Sequence, residues 1–223
     1  MAGTMITFPS NGSETKGYLS LPPSGSGPGL LVIQEWWGLV QHIKNMADRY
    51  AARGFVTLAP DLYEGESATE PEHAMTLMHE LEIPHASKVL IGAAGYLRSH
   101  ESNSSGKVGC LGYCMGGGMT LLLASKGAIE AGAPFYGVLP SGLPDPDTIQ
   151  CPIQGHFAEH DDATDAVPGL RDGLTAAGVE NEFFIYDGTE HAFCNNDRPE
   201  VYDEAAATTS MDRTVEFMIK HLS

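Results

Sequence analysis

The chain has 223 residues, 42% of them hydrophobic and 18% charged, with 29 Asp plus Glu against 12 Lys plus Arg and a net charge of −17. That length suits one domain, spanning 1–223, with a substantial core, and the composition is globular rather than disordered. A surface this acidic favours solubility and repels phosphate backbones and anionic lipid faces, which argues against nucleic-acid or membrane partners. Nowhere does an apolar run approach the roughly 18 residues of a membrane span. The stretch Met1 to Ser10 lacks the basic patch and apolar run of a signal peptide. The four cysteines, Cys110, Cys114, Cys151 and Cys194, show no paired spacing for zinc or a disulfide framework. No metal and no cofactor is expected, and the setting that suits free thiols is a reducing cytoplasm.

In chain order, Met5 to Phe8 and Thr15 to Leu21 alternate as an antiparallel hairpin. Ser24 to Gly29 is a short Ser/Gly/Pro loop, and then a strand-and-helix rhythm begins. Gly29 to Gln34 is a continuous apolar run, as in a strand buried on both faces. Ile43, Met46, Ala47, Tyr50 and Ala51 have helical spacing and stop at Gly54. Phe55 to Ala59 is a second buried strand, ended by Pro60, and a helix is expected from about Pro84 with Val89, Leu90, Ala93, Ala94 and Leu97 on one face. Lys107 to Leu111 is a third buried strand, and Met115 to Ala124 is a helix apolar on all sides. Ala131 to Tyr136 and Pro152 to Phe157 are strands, with a loop from Ser141 to Asp147 between them. Val167, Leu170, Leu174 and Ala177 form a helix stripe, Glu182 to Tyr186 is the last strand, and Met211, Val215, Met218 and Leu222 close the chain as a helix. This alternation predicts an α/β fold with a mostly parallel central sheet and helices on both faces. In such sheets sites lie beyond the carboxyl ends of the strands.

Four of those strand ends carry chemistry. Gly112-Tyr113-Cys114-Met115-Gly116 has the G-x-nucleophile-x-G spacing of a strand–turn–helix elbow, with Cys in place of Ser. Its glycines let a tight, strained turn form, and the helix N-terminus favours a thiolate at Cys114. The Met115 amide would face a developing oxyanion. Glu159-His160-Asp161-Asp162 follows the strand at Pro152 to Phe157; Asp161 is preferred to Asp162 as the acid that orients a histidine, although a helix N-cap needs no more than this. His191 follows the last strand, in the order nucleophile, acid, histidine. The remaining histidines considered, His42, His73, His79, His85, His100 and His221, fall in helices or at their ends and read as surface residues. Gln34-Glu35-Trp36-Trp37-Gly38 ends the first buried strand; the Trp36 amide suits the second oxyanion donor. Glu35 is either a carboxylate facing water or a charge that controls the thiol.

VIQEWWG (32–38), APDLYEG (59–65), GYCMGG (112–117), APFYG (133–137), GHFAEHD (155–161) and DGTEHAF (187–193) together resemble the dienelactone hydrolase family over nearly the whole chain. The cysteine elbow with the Gln-Glu strand end is specific to that family within its fold. The resemblance implies an α/β-hydrolase fold without a large lid domain, and a catalytic triad of Cys114, Asp161 and His191. It implies oxyanion donors at Trp36 and Met115, control of the nucleophile by Glu35, and pocket positions at Tyr63 and Tyr136. Trp36, Trp37, Phe135 and Tyr136 suggest an apolar or aromatic acyl pocket.

The family's best-known members hold an anionic dienelactone with two arginines. Here 61–87 contains no Lys or Arg, and the second position is Asn195, with Arg198 the nearest cation. An uncompensated substrate carboxylate in the site would cost several kcal/mol. The expected substrate is therefore a neutral small-molecule ester or lactone, cleaved through an acyl-enzyme by a monomer or homodimer, with Trp37 and Arg198 among the substrate contacts. A thioesterase or phosphotriesterase using the same triad is an alternative, as is a non-catalytic ligand-binding module on the same fold. Thiol redox chemistry is disfavoured because no C-x-x-C is present.

Overall fold

Thr4–Ser10 (β1) and Ser13–Ser20 (β2) pair antiparallel and join one eight-stranded sheet in the order β1-β2-β4-β3-β5-β6-β7-β8. The other strands are Gly27–Ile33 (β3), Val56–Pro60 (β4), Asn103–Tyr113 (β5), Ala131–Phe135 (β6), Ile153–His160 (β7) and Asn181–Glu190 (β8). From β4 through β8 every pairing is parallel, and only β1–β2 and β2–β4 run antiparallel. The computed structural model describes residues 2–10, 12–139 and 142–223. Met1, which opens the N-terminal stretch, and Ser141, which opens the loop to Asp147, lie outside the described residues.

The continuous apolar strands are buried on both faces because helices cover both. Along β3, Leu31 and Ile33 enter one core cluster while Leu30 and Val32 enter the other, the period-two alternation of a pleated strand. The first cluster packs against Ile83–Ser99 (α3), Met115–Ser125 (α4) and Val167–Ala176 (α5); the second packs against Gln41–Ala52 (α1) and Glu204–Leu222 (α6). Helix α1 buries Ile43, Met46, Ala47, Tyr50 and Ala51 at the expected spacing and ends where Gly54 takes φ 105°. Nine of the eleven residues of α4 are buried, as its apolar circumference requires.

One helix departs from the expectation. Pro71–Glu80 (α2) precedes α3, and it buries only Ala74 and Leu77. Two apolar contacts leave almost no periodic signal; Pro71 in its first turn is the local mark of its start. Among the described residues no helix is long and apolar enough to cross a membrane, and no inserted segment forms a large lid.

Register brings the site together. Ile33 lies opposite Gly112, Tyr113 opposite Phe135, Phe135 opposite His156, and His160 opposite Glu190. The residues that follow these strand ends therefore share one rim of the sheet.

Beneath that rim His156 is fully buried, stacked on Phe135 and Phe184. Gln154 Oε1 can only accept, so His156 Nε2–H donates to it at 3.2 Å, and Tyr186 O–H donates to Nδ1 at 2.8 Å. Burial and the nearby Arg213 guanidinium push the imidazole down to about 3. A denatured chain takes up a proton on this histidine below about pH 6.5, while the native state refuses it down to about 3. The native state is therefore progressively destabilised as pH falls through that window. In urea titrations, His156→Phe should lower stability at pH 7 by about 1–3 kcal/mol, because Tyr186, Gln154 and Thr214 lose the imidazole as a hydrogen-bond partner. It should also lose less stability than the parent between pH 7 and pH 5.

Candidate active site

Cys114 caps α4 with φ 55° and ψ −119°, a strained conformation for a residue with a Cβ. The turn closes because its neighbours lack side chains. A Cβ at Gly112 would overlap the Gly116 backbone, and one at Gly116 would sit 2.6 Å from Ile33 O. One at Gly137 would overlap the Cys114 carbonyl. The Cys114 amide donates to Phe135 O at 3.1 Å, tying the elbow to the end of β6. Four described non-glycine residues have positive φ, and three of them, Cys114, Tyr136 and Ala192, lie at this rim. The strain is thus concentrated where the strand ends converge.

His191, at the end of β8, donates from Nδ1–H to Asp161 Oδ2 at 2.7 Å. The Asp161 side chain is 7% exposed and that of His191 is 39% exposed, so the acid is enclosed while the imidazole reaches the surface. Asp161 Oδ1 also accepts from Ala163 N at 3.0 Å, so the one carboxylate bonds both His191 and the turn that follows β7. Asp162 is exposed, as is His160. Burial opposes charge on His191, but the Asp161 hydrogen bond and the Cys114 sulfur outweigh it and lift the imidazole to about 10. Tyr136 is fully buried, edge-on to His191 at 5.1 Å between ring centroids, so it braces the imidazole from beneath.

The Gln34 end of β3 forms the opposite wall. Gln34 Oε1 accepts from Leu62 N, and Ala68 N donates to Trp37 O, clamping this loop to the segment after β4. Trp36 N–H has no acceptor among the described residues, and Met115 N–H opens α4, where the first amides lack intrahelical acceptors. Tyr63 is buried, with its hydroxyl 3.7 Å from Met115 Sδ. Trp36 and Trp37 meet edge-on at 5.0 Å and line a cleft of about 680 Å³ with Val40, His42, Asn195 and Arg198. Arg198 Nε donates to Glu200 at 2.9 Å at the outer edge of that cleft.

Glu35 is 1% exposed, which removes the reading of a carboxylate facing water. Its Oε2 accepts from Asn195 Nδ2 at 2.8 Å, and Oε1 has no partner among the described residues. Burial pushes its carboxyl up, against His42, His191, the Asn195 hydrogen bond and Arg198.

His42 corrects the expectation of a surface residue: it is 1% exposed, although it stands second in α1. The β3 loop and the segment after His191 fold over that helix end. Asn195 was expected only as the place of a missing cation, and Asn196 was not evident as a site residue. For Asn195 the available signal was its position four residues after the histidine. Cys110, Cys151 and Cys194 are buried free thiols, and Cys114 is half-buried. Among the described residues no group of three His, Cys, Asp or Glu side chains is placed to hold a metal ion.

In Asp161→Asn the imidazole loses its charged partner, so its titration midpoint, read by histidine NMR, should fall well below about 10. An unmoved midpoint would show that the 2.7 Å contact does not set the charge of His191.

The dienelactone hydrolase family model matches residues 15–222. Protein usf of Aquifex pyrophilus is 36% identical, covering 99% of this chain and all of that protein. A protein of Aquifex aeolicus named "Putative carboxymethylenebutenolidase" is 32% identical over 99% of both chains. Among solved structures, a dienelactone hydrolase-like promiscuous phosphotriesterase from metagenomic libraries superposes with a TM-score of 0.87 at 21% identity, covering 99% of this chain and 98% of that one. The dienelactone hydrolase of Anabaena variabilis gives 0.73 at 18% identity, with both chains fully covered. With its parallel sheet, its helices on both faces and this match over nearly its whole length, the chain is a hydrolase of α/β-hydrolase fold and belongs to the dienelactone hydrolase family.

Proposed function

We propose that the protein hydrolyses neutral carboxylic esters or lactones through Cys114, His191 and Asp161. The observation that carries this reading is the short His191–Asp161 hydrogen bond beside a strained cysteine at a helix N-terminus. His191, held by Asp161, keeps the Cys114 thiolate as its ion-pair partner. The thiolate attacks the carbonyl carbon, and the Trp36 and Met115 amides receive the oxyanion, each worth about 3 kcal/mol. The imidazolium gives its proton to the leaving alkoxide. It then takes a proton from water as the hydroxide adds to the acyl carbon; the C–S bond breaks, releasing the acid and restoring the Cys114 thiolate beside the imidazolium. Glu35 controls the charge at the nucleophile.

Trp36 and Trp37 give the acyl group an aromatic wall, and Tyr63 and Tyr136 support the pocket from within. The preference for a neutral substrate follows from two pairings. Asn195 is spent on Glu35, and Arg198 is partly neutralised by Glu200. The chain works as one domain, as a cytoplasmic monomer or homodimer, with no nucleic-acid or membrane partner.

Cys114→Ala should reduce turnover of p-nitrophenyl esters by about 10⁴-fold or more. Turnover retained in that variant removes Cys114 from the mechanism. An ester carrying a free acyl carboxylate should be cleaved more than about tenfold less efficiently than its neutral counterpart, since burying an unpaired carboxylate costs several kcal/mol. Arg198→Ala should change kcat/KM for the neutral ester by about 1 kcal/mol or less. A large loss there, with the anionic ester preferred by the parent, would make Arg198 a carboxylate anchor.

A further inference from the structure

Glu35 is 1% exposed, and among the described residues no Lys, Arg or His nitrogen stands at ion-pair distance from it. Its one hydrogen-bond partner is neutral: Asn195 Nδ2–H donates to Oε2 at 2.8 Å. Asn195 is itself 3% exposed and held from two sides. Its backbone N–H donates to Ala192 O at 2.8 Å, closing the turn that follows His191. Its Oδ1 accepts from Asp197 N at 3.0 Å, which fixes the amide with the Nδ2 hydrogens toward Glu35. A buried carboxylate needs a charged partner or several donors, and with one neutral donor it takes up a proton instead. A protonated carboxyl has one oxygen that accepts and one that carries the hydrogen. Asn195 claims Oε2 as the acceptor. The hydrogen then falls to Oε1, which is buried and has no partner among the described residues.

We propose that Asn195 holds Glu35 as a neutral carboxylic acid with its hydrogen on Oε1, so that no carboxylate at position 35 opposes a thiolate at Cys114. Asn195 is the positioning residue. It satisfies Oε2 and fixes which oxygen carries the hydrogen, without supplying the positive charge that would ionise the group. Burial acts in the same direction, while His42, His191 and Arg198 act against it without reaching it as ion pairs. The other titratable groups facing Glu35 are Tyr136, after β6, and Cys194, after β8; burial pushes both up, so both are neutral at pH 7. The bearing on catalysis rests on the reading of Cys114 as the nucleophile; the protonation of Glu35 does not.

Infrared difference spectroscopy on the whole protein reads this state directly. At pH 7 the parent should show the C=O band of a protonated carboxyl, and Glu35→Gln should lack it. Absence of that band from the parent overturns the neutral acid, whatever the activity. In Asn195→Leu the band should persist and move to higher frequency, because Oε2 has lost its donor; an unmoved band removes Asn195 from the role, even if the Tm has fallen. In Asn195→Lys a cation reaches Oε2, so the band should vanish at pH 7 and return on acidification. The kcat/KM for a p-nitrophenyl ester should then fall about tenfold or more, as a carboxylate faces the thiolate. A band that stays in Asn195→Lys shows that burial alone holds the proton, and overturns the assignment to Asn195. Should the variants not fold, carbon NMR of the parent with isotope-labelled glutamate carboxyls gives the same answer. One resonance should stay at its protonated position at pH 7, and its absence overturns the proposal. If Cys114→Ala keeps its turnover while the parent shows the band, the neutral acid stands and the mechanism proposed for the cysteine falls.

Discussion

The site depends on one close backbone contact. The first turn of α4 lies against the ends of β3 and β6 with no Cβ between them, at Gly116 toward Ile33 and at Gly137 toward Cys114. This contact holds Cys114 at φ 55° and starts α4 at the very next residue, Met115. Spread over a loop, the same side chains would have no fixed geometry. The strain at Cys114, Tyr136 and Ala192 is sustained because two buried core layers enclose the sheet on which all three stand.

Charge at the site runs against the charge of the whole chain. The surface is strongly acidic, yet the rim sets His191, His42 and Arg198 near the buried carboxyl of Glu35, with the enclosed Asp161 bonded to His191. Desolvation makes the Glu35 carboxyl sensitive to its immediate partners and far less so to distant surface charge. The two asparagines after the histidine serve this arrangement. A cation at position 195 would bring its own charge into the floor, whereas the Asn195 amide satisfies one carboxylate oxygen and adds none.

Much of the fold was legible because buried parallel strands read as unbroken apolar runs and their helices as periodic stripes. The hairpin, the elbow and a histidine after the last strand all follow from residue type and spacing; the preference for Asp161 over Asp162 does not, and the hydrogen bond to His191 is what tells the two apart. Helix α2 escaped because it buries only Ala74 and Leu77, too few to make a period. His42 was misread because a histidine at the start of an amphipathic helix has the same local surroundings whether that end is bare or covered. Its cover is supplied by residues 154 positions away.

By itself the sequence determined what local chemistry controls: the order of strands and helices, the glycine-flanked turn that presents Cys114, and the identity of an acid and an imidazole at two further strand ends. Only the tertiary structure decided what depends on neighbours distant in the chain. Sheet register placed Asp161 within 2.7 Å of His191, and closure of the loop after β8 over α1 buried Glu35 and His42 together. The charge a buried group carries is set by the partners and the solvent that packing leaves it, and neither is a property of its position along the chain.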